Sequence, residues 1–424
     1  MQHIKNDTMR RILFLFTIIM LVTMASTAQV MTLEAVMDSV KTSHPVVKMY
    51  DKEIRSMDEA AKGARSWMPP QLGIGQFMTP YNIKMWNRDG DMPGMGSIMI
   101  SGEQMFPNKK KLDADEQYMK AMSSVEKEKK NASLNELVND AKQLYYEWIV
   151  LEKKLSILSE NEKILDFMIR NAEIRYKNGL EKINAYYKAK AALGDVKNMQ
   201  VMYDYDIREK KIRLNALMGR HALTEFAIDT TYRVADFSGI VFDSTLFYNN
   251  RSDFKSLDKE INLASLKQQT EKAALKPQFG IRYDNMFGFA GQPFMYTIMG
   301  MVRIPLTKWS SKMNKANIES LKWKAEAIQA QKEMMVNEYS GMAYGMRNEL
   351  DLKKKQMVLY ETQIIPALRN NYKTMQLGYE QNTEELFMLY DAWETLNMKQ
   401  LEYIELLNRS LLLQVTIERL MEKN

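Results

Sequence analysis

Apolar and polar positions alternate with a period of two in four short stretches of this chain, and recur every three or four residues in the longer stretches between them. In QFGIRYDNMF, Phe279, Ile281 and Tyr283 alternate with Gly280, Arg282 and Asp284, which predicts a strand with two unlike faces. After the loop GFAGQP, a second extended segment, YTIMGMVRIPL, puts Tyr296, Ile298, Val302 and Ile304 on one face and stops at Pro305. The first half of the chain carries the same pair: PPQLGIG from Pro69, a Gly- and Asn-rich loop at 81–96, then SIMISGEQMFP ending at Pro107. One strand pair per half is too little sheet to be stable alone.

Helical periodicity fills the rest. Helices are expected over about 31–66 and 244–275, each ended by the proline that precedes a strand. Very long ones follow, over 112–176 and 311–377, each answered after a short turn by another, over 183–218 and 384–421. Leu137, Ala141, Leu144, Trp148, Leu151, Leu155 and Leu158 keep an alternating spacing of four and three, a heptad seam that lays this helix along another. At 1.5 Å per residue it makes a rod of roughly 98 Å. The expected fold is mainly α with a small β part: a strand pair plus long coiled-coil helices, present twice.

The duplication is also written in identities. PQ-x-G-I at Pro70 recurs at Pro277, and DKEI at Asp51 recurs at Asp258, both 207 positions on. The chain therefore divides into a first repeat over 29–223, a connector over 224–244 rich in β-branched residues and turn formers, and a second repeat over 245–424. Pro70 with Gln71 and Pro277 with Gln278 mark where each half passes from helix to strand.

Composition changes the picture at the N-terminus. Arg10 and Arg11, the apolar run from Ile12 to Met24, and small residues at Ser26 and Ala28 read as a signal peptide over 1–28; an uncleaved anchor is the alternative. The chain has no cysteine, so neither a lipid-anchoring thiol nor a disulfide is available. A formal charge of +6 spread over interleaved acids and bases gives no reason to expect nucleic acid.

The segments RYKNGLEKINAYYKAKAAL (from Arg175) and LGYEQNTEELFMLYDAWETL (from Leu377) resemble the interhelix turns of TolC-type outer-membrane efflux proteins, with Tyr-x-x-Gly before a leucine-rich helix start. QIIPALRNNY with Pro366, the Ser-His-Pro-Val run at Ser43 and LNALMG at Leu214 extend the resemblance over nearly the whole chain. Asn382 stands where relatives have glycine and Asn184 where they often have aspartate, so no charged gate is carried over.

The resemblance implies a homotrimer: a 12-stranded β-barrel in the outer membrane of a Gram-negative bacterium, with an α-helical tunnel in the periplasm. It further implies a periplasmic membrane-fusion adaptor and an inner-membrane RND-type pump as partners, outer-membrane lipid around the barrel, and no cofactor. The adaptor would meet the turns, at Tyr176, Asn178, Gly179 and Leu180 and at Tyr379, Gln381, Asn382 and Thr383.

Enzyme chemistry finds little support. Beyond the signal peptide only His44 and His221 remain, each beside a helix end, and acids such as Glu162, Glu173 and Glu181 sit on polar helix faces. Methionine is abundant, 35 in 424 residues, with six between residues 78 and 105 where the chain average gives between two and three. Met92, Met95 and Met99 are thioether candidates for a soft metal ion, against the plainer reading that methionine fills apolar surface. EQMFPNKKKL resembles a stretch of the heavy-metal (copper and silver) efflux branch, with Lys110 in place of glycine. The expected function is a passive exit duct for small molecules or metal ions. The alternatives are an exported coiled-coil scaffold or adhesin without channel activity, and a periplasmic methionine-rich metal-binding protein.

Overall fold

A computed structural model describes residues 30–180, 182–305 and 307–423; the expected signal peptide and Glu181 lie outside them. The chain opens with a two-residue strand, β1 (Val30–Met31), and two helices, α1 (Leu33–Ser43) and α2 (Pro45–Lys62). A strand pair follows, β2 (Gln71–Phe77) and β3 (Ser97–Phe106), then α3 (Lys109–Lys177) and α4 (Ile183–Leu217). After the short β4 (Ala227–Ile228) the order repeats: α5 (Ser244–Asn250), α6 (Ser252–Ala274), β5 (Gln278–Gly288), β6 (Met295–Arg303), α7 (Lys308–Leu359), α8 (Ile365–Glu380) and α9 (Leu386–Met421).

Four expectations need correction. The helix expected over 244–275 is two, α5 and α6, parted at Arg251, whose backbone is extended at φ −79°, ψ 126°. The first helix breaks at His44, because Pro45 pushes the residue before it out of the helical region; His44 sits at φ −61°, ψ 134°, and its Nδ1 accepts from Val46 N at 3.2 Å. Nor does a proline end α2. The helix stops at Lys62, where Gly63 and Ala64 donate three residues back and tighten the last turn, well before Pro69. The long helix of the second half is not continuous either. A π-helical turn (Tyr360–Ile364) separates α7 from α8, and the Ile365 N–H reaches back five residues to the Tyr360 carbonyl. Pro366, next in the chain, has no N–H to give to residue 362, so a regular helical hydrogen bond is missing there in any case.

The described residues fall into two units. One takes Lys48–Ala132 and Phe247–Glu338, and contains all four long strands. They form one antiparallel sheet in the order β2-β3-β5-β6, so the two hairpins join through β3 and β5, and β2 and β6 are its edges. The other unit takes the chain up to Val47, Ser133–Leu246 and the stretch from Tyr339 on. Its core holds the heptad seam of α3: Ala141, Leu144, Trp148 and Leu151 are buried with Ile404, Leu407, Leu411 and Val415 of α9. Further along, Leu158, Leu165, Met168 and Ala172 are buried with Leu386, Leu389, Trp393 and Leu396. The segment between the halves is packed too: Phe226 meets Trp148 edge to face at 5.2 Å, and β4 pairs in parallel with β1. Tyr145 ties both short strands down, its hydroxyl lying 3.1 Å from the Met31 carbonyl and 2.8 Å from that of Asp229.

Candidate functional site

The sheet is inside out by the standard of a soluble protein. The register puts Leu72, Ile74, Ile98, Ile100, Phe279, Ile281, Tyr283, Tyr296, Ile298 and Val302 on one face, and every one of them is exposed. Leu72 is 83%, Ile74 79% and Ile298 68% exposed, values that would be unfavourable in water for a whole sheet face. Ser97, Ser101, Glu103, Arg282, Asp284 and Thr297 share the other face. There Asp284 is buried and accepts from Arg282 Nε at 2.9 Å. β3, β5 and β6 have 10, 11 and 9 residues, the length a tilted strand needs to cross a bilayer.

The strands start where the proline-led repeats end, β2 at Gln71 after Pro70 and β5 at Gln278 after Pro277. Asn108 Nδ2 donates to the Pro277 carbonyl at 3.2 Å, holding the chain after β3 to the chain before β5. At the other end the hairpin loops pack together, Trp86 stacked on Phe289 at 5.3 Å and Gly94 N donating to Ala290 O at 3.1 Å. Met92 and Met95 are exposed in that loop, whereas Met99 lies within β3, opposite Gly75 and Met286.

In the other unit, the turns after α3 and α8 are built alike. Gly179 has φ +72° and lets Leu180 N donate to Arg175 O at 2.9 Å; Asn382 has φ +60° and lets Thr383 N donate to Gly378 O at 2.8 Å. Each is a helix end in which one left-handed residue folds the next N–H back five positions. Asparagine tolerates this region better than other side chains, which explains its use where the first turn has glycine. A Cβ on Gly378 would collide with Glu384 Cγ at 2.6 Å, so that glycine makes room for the returning chain.

Tyr176, Asn178, Gly179, Leu180, Gln381, Asn382 and Thr383 are exposed around these turns. Tyr379 is not. It is 1% exposed, covered by Arg175, which donates from Nη1 to its carbonyl at 2.7 Å and places its guanidinium 4.3 Å from the ring centre. Tyr379 therefore holds the turn and offers no contact surface.

The remaining titratable groups do structural work. The ring Nδ1 atoms of His44 and His221 accept from the backbone N–H groups of Val46 and Leu223. Glu162 is held below its usual pKa by a hydrogen bond from Gln200 and by Lys197, and Glu173 by the hydrogen bond and charge of Lys177 four residues on. Among the described residues, no three His, Asp or Glu side chains converge on a metal-sized site, and no helix is long and apolar enough to cross a membrane.

Residues 36–220 match the sequence profile of the family described as outer membrane efflux protein. Over that stretch, most of the first repeat, the chain is similar to outer membrane efflux proteins. The likeness of fold to solved outer-membrane channels extends further, over 92% of the chain. CusC, whose structures concern transmembrane channel formation, superposes with a TM-score of 0.72 at 12% identity, covering 92% of this chain and 91% of its own. VceC of Vibrio cholerae gives 0.69 at 15% identity over 92% and 95% of the two chains. The Campylobacter jejuni CmeC channel gives 0.69 at 11% identity over 92% and 85%. A comparison with curated protein sequences gives no significant match. Sequence similarity over 36–220 and the fold over 92% of the chain thus lead to the same group of outer-membrane proteins.

Sequence reasoning missed the β1–β4 pairing, the π turn and the Arg175–Tyr379 clasp. Only the π turn had a local signal, Pro366.

Proposed function

We propose that this protein is the outer-membrane channel of a tripartite efflux system, a passive exit duct for small molecules or metal ions delivered by an inner-membrane RND-type pump. Three copies would join their sheets edge to edge into one 12-stranded barrel. The helical part would lie in the periplasm of a Gram-negative cell, and a membrane-fusion adaptor would meet the turns at Tyr176, Asn178, Gly179, Leu180, Gln381, Asn382 and Thr383. On this reading residues 1–28 are a signal peptide, and 29–223 and 245–424 are two repeats joined by the connector 224–244.

One observation carries the proposal: a sheet whose exposed face is apolar and whose two edges, β2 and β6, have no neighbour among the described residues. In lipid the apolar face is satisfied, but the unpaired N–H and C=O groups of an open edge are not, each costing several kcal/mol. Four strands cannot close a barrel, and closure removes the edges. Copies of the same chain supply the missing strands with the fewest assumptions, because the β6 edge of one can pair with the β2 edge of the next.

The test is extraction. The protein should leave the outer-membrane fraction only with detergent, migrate as a trimer in its micelle, and conduct ions in planar bilayers. A periplasmic monomer soluble without detergent would overturn the proposal, and a membrane-bound form with no conductance would favour an envelope scaffold.

A further inference from the structure

The four long strands contain six methionines, Met99, Met105, Met286, Met295, Met299 and Met301. The strand register places all six on the face of Arg282 and Asp284, and none on the face of Ile74 and Ile298. Chance does not favour that segregation. Nor does apolar packing, since the aliphatic and aromatic residues of the same strands, Phe77 apart, crowd the opposite face. Two rows stand out. Met99, Met286 and Met295 are direct cross-strand partners on three successive strands, with Cβ atoms about 5 Å apart. Met105 and Met301 flank Gly280 as its partners on either side. A Cβ at Gly280 would overlap the Met105 sulfur and meet Met301 Cε at 3.3 Å, so both thioether ends lie over this glycine, and only glycine leaves them that space.

The geometry points to a sulfur-donor site for a soft monovalent cation, Cu(I) or Ag(I), on the polar face of the sheet, centred on Met105 and Met301 over Gly280, with the Met99–Met286–Met295 row as a second station. This rests on the channel reading, which turns that face toward the barrel interior. Thioethers are neutral, soft donors that select such ions over hard ones and hold them without needing a proton to leave. The charged groups of the face are Glu103, Asp284, Arg282 and Arg303; Glu103 stands opposite Arg282, which is already paired with Asp284. The face is therefore close to neutral and does not repel a single positive charge. Methionines in two rows at different heights along the strands would let an ion move between sites rather than be trapped at one.

The experiment uses the detergent-purified full chain and Ag(I) as the nitrate in chloride-free buffer. Wild type should bind Ag(I), and Met105→Leu/Met301→Leu should weaken binding at least tenfold, while Met92→Leu/Met95→Leu in the exposed loop leaves it unchanged. Equal affinity in wild type and the Met105/Met301 variant overturns the inference. Silver-edge X-ray absorption of the wild type needs no variant to fold: the chain has no cysteine, so sulfur neighbours can only be methionine, and a purely oxygen or nitrogen shell overturns the inference as well. Planar-bilayer conductance of the same samples keeps the two readings apart, because a channel that conducts but binds no silver refutes the site and leaves the duct standing.

Discussion

The guanidinium of Arg175, in the last turn of α3, donates to the backbone carbonyl of Tyr379, in the last turn of α8, at 2.7 Å and covers the ring of the same tyrosine at 4.3 Å. One side chain thereby satisfies a helix-end carbonyl and shields an aromatic ring, and the two interhelix turns are held as one piece. A cation over a buried ring and a charge-assisted hydrogen bond are together worth about 1–3 kcal/mol. Arg175→Ala should remove that much from the turn alone, since the cores of α3 and α9 lie elsewhere. Hydrogen exchange should speed up at residues 377–384 by about tenfold or more, with the segment around Leu407 unchanged. Uniform protection across both segments would mean that the clasp contributes nothing.

The helix ends give a ranked series. Gly179 and Gly219 both have positive φ, at +72° and +67°, but a Cβ at Gly179 meets nothing within 4 Å, whereas one at Gly219 would lie 2.7 Å from the Ser43 carbonyl oxygen. Gly179→Ala should cost about 1 kcal/mol, the backbone penalty alone. Gly219→Ala should cost more, because Ser43 must move as well. Asn382→Gly should be neutral or slightly stabilising, since it relieves φ +60° at an exposed position. Thermal midpoints of the three variants check the order, and a Gly219→Ala midpoint above that of Gly179→Ala would contradict it.

What the sequence disclosed follows from how local each signal was. The helix expected over 112–176 is α3, Lys109–Lys177, because a long stretch without glycine or proline has no local reason to stop. The strands that start at Gln71 and Gln278 were legible from alternation, but their inverted burial was not: period two tells that Ile281 and Arg282 face opposite ways, not which one faces solvent. The break at His44 was readable in principle from Pro45 and was missed because the apolar spacing runs on through it. Arg175 and Tyr379 were out of reach. They are 204 positions apart, and neither sits in a motif that names the other.

Alkaline pH offers a third check. Burial pushes the phenols of Tyr145 and Tyr146 up to about 12, with Asp229 and Glu418 adding to it; burial and Glu394 do the same for Tyr390. A phenol with an unfolded pKa near 10 and a folded one near 12 contributes stability that is whole below pH 10 and is lost as pH rises through 12. Stability should therefore be flat up to pH 10 and fall between 10 and 12. Tyr146→Phe, which removes one such proton at a site with no hydrogen bond to lose among those described, should move the alkaline unfolding midpoint upward by circular dichroism. A midpoint that stays put would assign alkaline unfolding to other groups.

Three polar side chains in the core beneath the turns make the last case. Trp393 Nε1 donates to Asn161 Oδ1 at 2.9 Å, and Asn161 Nδ2 donates to Asn397 Oδ1 at 2.6 Å. All three residues are less than a tenth exposed, and the bonds tie α3 to α9 where the neighbouring residues are leucines and alanines. Asn161→Ala strands a buried N–H and a buried carbonyl at once, each costing about 1–3 kcal/mol, and opens a small cavity. The single variant should thus lose about 2–4 kcal/mol by denaturant titration in detergent. Asn161→Leu/Asn397→Leu should recover part of that loss, since it fills the space with apolar groups and leaves only the Trp393 N–H without a partner. If the double variant is as unstable as the sum of the two single ones, the asparagines act independently and the network holds nothing together.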